Sequence, residues 1–413
     1  MNQLNIIAAR SPRGRDTAQL SRRALIGGLG ALAIGSMGGT SAHAARRKND
    51  GSTIRKATAR TGGVRAPKAA RHCTGLGARS FSTAQRAQRD VISFVVVDFE
   101  WRDLHAGPGR VSTAFRDQLR QQLDWCHSST GVTGKRLQVR LRPRMGIYAP
   151  QWVKDRTGSM RWYTDKGTDG TGVSARSNPL WREIPGGTPI WWNHAYRAAA
   201  YDFYSILARE FGSHPALSEV VMGWPSTQFV EQCNKQFGLD ENLAAAVASG
   251  YTDEADDAMF LNGWQAHKAL LSPLGISCYT AFNPPGKVTD GDFKFGNVER
   301  CVTLMRQQVS TLGAYAVVAN NSWAPYETQS LQYKAMYNEH QRLHKELGAR
   351  IAFQTETFER LLSNTTVRST IDEAVLFGAT GIELPRGCET AAGNDLVDAA
   401  YAIRVSSAFA GNS

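Results

Sequence analysis

The chain has 413 residues, 42% hydrophobic and 20% charged, and a formal charge of +12. The excess is local: residues 1–90 hold 17 Lys/Arg against three acidic residues, and the rest of the chain is close to neutral. A folded part without net positive charge argues against nucleic acid as its main partner. No window approaches the length of a membrane span.

In chain order, the first segment reads as an address. Arg22 and Arg23 stand directly before a mildly apolar, Gly/Ala-rich run to Met37, and Ala42-His43-Ala44 supplies a small-x-small cleavage site. The pattern resembles a twin-arginine signal peptide over residues 1–44, which implies export of the already folded protein to the cell envelope or beyond. Residues 45–90, rich in Gly, Ala, Thr and Arg, read as a basic flexible linker, loosely attracted at most to an anionic envelope. Deleting residues 45–85 is then expected to leave the fold intact. The six cysteines are scattered with no metal-ligand spacing, and Cys233 with Cys388 is the first disulfide to test.

From Val91 onward, short apolar runs alternate with amphipathic helix-length stretches. Expected strands cover 91–97, 137–141, 219–223, 276–281, 314–319, 350–354 and 381–384. Expected helices include 196–211, 256–271, 297–311, 331–347, 368–377 and 394–408. Such alternation predicts a parallel sheet, closed or doubly wound. The first clear strand ends Asp98-Phe99-Glu100-Trp101, without the glycines of a phosphate-binding turn, so an α/β fold of the (β/α)8 barrel type over 91–413 is preferred. Its weak point is strand three. A long Trp/Gly-rich insertion follows strand two, and 188–192 (Thr-Pro-Ile-Trp-Trp) is the best remaining candidate.

In such a barrel the chemistry sits at the carboxyl ends of the strands. Those ends carry carboxylates or amides beside aromatics: Asp98, Glu100 and Trp101; Trp224 and then Glu231; Asn283; Asn320 and Trp323; Gln354 and Glu356; Glu383. Indoles in loops beside carboxylates suit sugars, whose C–H faces stack while their hydroxyls need donors and acceptors. Trp101, Trp152, Trp224, Trp323, Asp98, Glu100, Asn283, Asn320 and Gln354 are therefore the candidate substrate-binding residues. Hydrolysis of a glycosidic bond needs two carboxyl groups, one protonated and one ionised. Glu231 and Glu356, at the ends of strands four and seven, are placed to supply them. No metal ligand set and no cofactor motif is read.

Tyr148-Ala149-Pro150-Gln151-Trp152, a Glu after strand four and Thr355-Glu356 at the end of strand seven together resemble the glycoside hydrolase clan A barrels. The resemblance covers the layout of residues 91–408. It implies Glu231 as acid/base, Glu356 as nucleophile, a retaining mechanism and a carbohydrate substrate. The clan places an aromatic at the end of strand eight, where this chain has Glu383-Leu384-Pro385, so Glu383 rivals Glu356 as the second catalytic carboxylate. Two other readings stay open. One is a non-catalytic carbohydrate-binding barrel of the envelope; the other is a barrel lyase or metal-dependent hydrolase acting through Asp98 and Glu100.

Overall fold

The computed structural model describes residues 68–413 apart from 166–169, 232, 234, 290, 331 and 332. The expected signal segment 1–44 and residues 45–67 of the expected linker lie outside the described residues. Eight strands close into a barrel: β1 (Gly75–Ala78), β2 (Phe94–Glu100), β3 (Gln138–Arg144), β4 (Leu217–Val221), β5 (Ser277–Ala281), β6 (Ala316–Trp323), β7 (Arg350–Thr355) and β8 (Gly381–Glu383). Every neighbouring pair is parallel, including the closing pair Gly75↔Gly381. The (β/α)8 expectation holds.

The barrel starts earlier than residue 91, and this corrects two expectations. Gly75-Leu76-Gly77-Ala78, assigned to the flexible linker, is the first strand. It has no β-branched residue because its neighbours leave no room for one. A Cβ on Gly77 would meet the Phe94 ring at 2.1 Å. Arg71 ties the same segment down, donating to His214 O at 3.0 Å and Leu274 O at 3.1 Å. Residues 188–192, in turn, do not form a barrel strand. Thr188–Pro189 pairs antiparallel with Ser159–Met160 outside the barrel, as suits a proline that cannot donate within a central sheet. The Trp/Gly-rich insertion thus follows the third strand.

Helices form the outer layer: α1 (Thr113–Ser128), α2 (His194–Phe211), α3 (Asp253–Leu270), α4 (Val298–Leu312), α5 (Lys334–Leu347), α6 (Val367–Leu376) and α7 (Ala399–Gly411). Their apolar faces recur at helical spacing, as in α2, where Tyr196, Ala200, Phe203, Leu207 and Phe211 are buried. Asn193 caps this helix by accepting from Tyr196 N at 2.8 Å. The large core lies between strands and helices, and a smaller one of Val221, Tyr279, Ala281, Val317, Ala319 and Ala352 fills the barrel interior.

Charge is also built into that interior. Arg140, fully buried, donates to Glu219 Oε2 at 2.6 Å and to Glu383 Oε1 at 2.7 Å, and its guanidinium lies 3.9 Å from the Tyr279 ring centroid. Arg142, one inward position higher on β3, donates to Glu383 Oε2 at 2.9 Å and Asp98 Oδ2 at 2.9 Å. Each charge has an opposite partner, which is the condition for burying it.

Candidate active site

Glu231 reaches the barrel mouth through a loop that leaves β4 and is pinned at several points. Tyr196 Oη donates to Trp224 O at 2.6 Å, and Ile147 N to Thr227 O at 2.9 Å. The loop can approach this closely only because residue 146 is glycine: its φ is +54°, and a Cβ there would sit 2.0 Å from Thr227 O. Gln228 is held by Gln236 Nε2 at 2.6 Å and by the Thr164 hydroxyl. The loop therefore presents Gln228, Phe229, Val230 and Glu231 to a cavity of about 330 Å³, whose other walls are Arg79, Asp98, Arg142, Arg144, Gln354 and Arg386.

Burial pushes the Glu231 carboxyl above its ordinary value, against the opposing pull of the Asn321 amide and Arg142. Tyr279 Oη donates to Asn321 Oδ1 at 2.6 Å, which turns the amide so that Nδ2 is offered to the Glu231 carboxyl. Asn321 is a site residue that sequence reading passed over; it adjoins Asn320 but has the opposite role.

Glu356 is the first residue beyond β7, with its own N–H on Trp323 O at 3.2 Å. Its side chain is almost fully buried. Arg360 Nη2 lies 2.9 Å from Oε1, and the Tyr326 hydroxyl donates to Oε2. Glu356 lines a neighbouring cavity of about 320 Å³ with Cys233, Lys235, Asn283, Ser322 and Arg360 among its walls. Gln354, two residues earlier and so on the same face of β7, lines the Glu231 cavity. Gln228, Phe229, Val230 and Glu231 line the one cavity, and Cys233, Lys235, Gln236 and Phe237 the other. Glu231 and Glu356 thus line separate cavities, in different environments.

Glu383 is elsewhere. It is 0% exposed, and both carboxylate oxygens are engaged by Arg140 and Arg142. It belongs to the charge network under the site and has no access to a substrate, which corrects its candidacy.

The substrate-binding expectations divide. Asp98 and Gln354 face the Glu231 cavity and Asn283 faces the Glu356 cavity. Asp98 is nevertheless paired with Arg142, and Gln354 Oε1 accepts from Arg142 Nη1 at 2.7 Å. Glu100 pairs with Arg102 at 2.6 Å and approaches Arg144 at 3.7 Å. Asn320 is buried and spends its side chain on Phe282 O, Asn283 Oδ1, Ser322 N and the Tyr337 hydroxyl. It holds the strand ends together.

The tryptophan expectation is overturned. Trp101, Trp224 and Trp323 are at most 1% exposed. Trp101 Nε1 donates to His105 Nδ1 at 2.9 Å, and Trp323 stacks on Phe353 at 4.2 Å. Trp152, half-buried, donates to His105 O at 3.3 Å and packs edge-on to that imidazole, lining neither cavity. These indoles pack long loops onto the barrel, the usual use of a large side chain that needs one hydrogen bond. The cysteines are all buried free thiols, so the expected Cys233–Cys388 disulfide is not formed.

No protein-family model and no curated protein matches the chain. Among solved structures, endo-glycoceramidase II from Rhodococcus sp. aligns over 78% of this chain and 75% of its own at 13% identity and a TM-score of 0.44. A Bacteroidetes-affiliated GH5 cellulase aligns over 81% and 92% at 10% identity and a TM-score of 0.42. A β-galactosidase from Marinomonas ef1 aligns over 81% and 59% at 15% identity and a TM-score of 0.37.

Proposed function

We propose that the protein is an exported glycoside hydrolase acting on a carbohydrate, with Glu231 as general acid/base and Glu356 as nucleophile in a retaining reaction. The observation that carries this reading is the contrast between the two carboxyl groups. Glu231 is held toward its protonated form by burial in a cavity, whereas Glu356 is set between a guanidinium and a tyrosine hydroxyl. Carboxyls in unlike environments are what acid and nucleophile roles require.

In this reading Glu231 donates its proton to the departing glycosidic oxygen while a Glu356 oxygen attacks the anomeric carbon. Tyr326 and Arg360 orient that carboxylate. Glu231, now ionised, takes a proton from a water whose oxygen bonds to the anomeric carbon and displaces the Glu356 carboxylate, which releases the sugar and restores both groups. Asn321 Nδ2 is placed to hydrogen-bond Glu231 when it carries charge.

The test is a pair of substitutions. Glu231→Gln should cut turnover of natural glycosides by 10²–10⁴-fold, the usual worth of a general acid, and cut it far less on aryl glycosides with good leaving groups. Glu356→Gln should abolish both. If both variants keep wild-type rates, the proposal is wrong. The twin arginines support the export half: Arg22→Lys with Arg23→Lys should strand folded protein in the cytoplasm, and normal secretion of that variant would refute it.

A further inference from the structure

The walls of the Glu231 cavity are strongly cationic for a site that handles sugars. Four arginines, Arg79, Arg142, Arg144 and Arg386, line it together with Asp98 and Glu231. Two of the four are already matched. Arg142 is held by Asp98 and Glu383, and Arg144 lies 3.7 Å from Glu100. The other two are not. Arg79 spends Nη2 on Thr355 Oγ1 at 2.8 Å and on backbone oxygens, its Nε is buried without a partner, and no carboxylate pairs with it among the described residues. Arg386, exposed at the end of β8, has no hydrogen-bond or ion-pair partner among the described residues. The two lie near enough that Arg142 and Arg386 add to burial in lowering the Arg79 pKa, against the opposing pull of Glu383 and Glu231. Glu231, the remaining carboxyl of the cavity, forms no ion pair with either of them among the described residues.

Two unmatched guanidiniums facing one cavity repel each other, and a guanidinium fork is shaped to take a carboxylate or sulfate through paired N–H donors. We infer that the sugar bound beside Glu231 is anionic, and that Arg79 and Arg386 bind its charged group. This rests on the proposal that the cleft holds a glycan. It adds that the glycan is a uronate- or sulfate-bearing one. Neutral glucans and mannans are excluded as preferred ligands, since they would leave both arginines uncompensated.

The experiment uses the full barrel carrying Glu231→Gln, so that ligands persist, and calorimetry at low salt. The probes are tetramers of homogalacturonan, alginate and chondroitin sulfate, with cellotetraose and mannotetraose as neutral counterparts. At least one acidic tetramer should bind about tenfold or more tightly than every neutral one, the size of one charge-assisted hydrogen bond. The preference should shrink as salt rises. Arg386→Gln, on an exposed side chain whose loss spares the fold, should remove it, as should Arg79→Gln. A uronate-only or sulfate-only response identifies the charged group. Equal or weaker binding of all acidic tetramers overturns the inference, and so does a preference that survives Arg386→Gln. Arg386-dependent binding of an acidic tetramer that the wild-type enzyme never cleaves would sink the hydrolase proposal and leave this inference standing. Cleavage of neutral glycans with no acidic preference would do the reverse.

Discussion

Replacing Glu383 with alanine separates a structural carboxylate from a catalytic one. The substitution deletes the acceptor shared by Arg140 Nη1 at 2.7 Å and Arg142 Nη1 at 2.9 Å, at a position with no solvent exposure. Breaking a buried pair by removing one partner costs about 3–5 kcal/mol, because the remaining charge cannot rehydrate. Here Arg140 keeps Glu219 and Arg142 keeps Asp98, so the lower end, about 3 kcal/mol, is expected. For the described residues from 68 to 413, an unfolding entropy of about 2.1 cal/mol/K per residue amounts to roughly 0.7 kcal/mol per degree. The melting temperature should therefore fall by about 4 °C, or up to about 7 °C if the full cost is felt. Differential scanning calorimetry reads the shift, and activity at a temperature well below melting supplies the second axis. Glu383→Ala that melts with the wild type yet has lost turnover would show that this carboxylate does chemistry, and the network reading would be refuted.

Other consequences follow from the same geometry. A chain beginning at residue 68 should fold and melt like the barrel of the full protein, whereas deleting residues 45–85 removes β1 and should give insoluble or unfolded protein by circular dichroism. The raised Glu231 carboxyl favours folding below its ordinary value of 4.5, and that contribution is lost as pH rises through the elevated folded value. Glu231→Gln should accordingly melt higher than wild type at pH 7 and lose that advantage near pH 4; an advantage that grew toward acid would contradict the assigned environment. Trp323→Ala should cost about 3–5 kcal/mol through the cavity left beside Phe353, and a stability unchanged in urea titration would restore the idea of an exposed sugar platform. Burial pushes the Cys126 and Cys388 thiols up to about 12 and Cys233 to about 11, so a native-state thiol titration should find none reactive at neutral pH.

Periodicity alone determined the second half of the barrel. The largely apolar runs at 276–281, 314–319 and 350–354 and the helices between them fall where they were expected, because strands buried on both faces are predominantly apolar. The place of Glu356 was legible for a related reason: a carboxylate just past such a run has few places to go but the mouth, whereas Glu231 lies ten residues beyond its strand, on a loop. What the linear pattern lacked was the first strand. Its Gly-Leu-Gly-Ala sequence answers to the Phe94 ring lying against it, a partner known only once the barrel closes. The fates of the tryptophans and of Glu383 were likewise tertiary matters. Whether an indole in a loop meets solvent or a helix depends on how that loop folds back. Whether a strand-end carboxylate meets substrate depends on which arginines the neighbouring strands turn inward, and strand-end residue types do not carry the barrel's register.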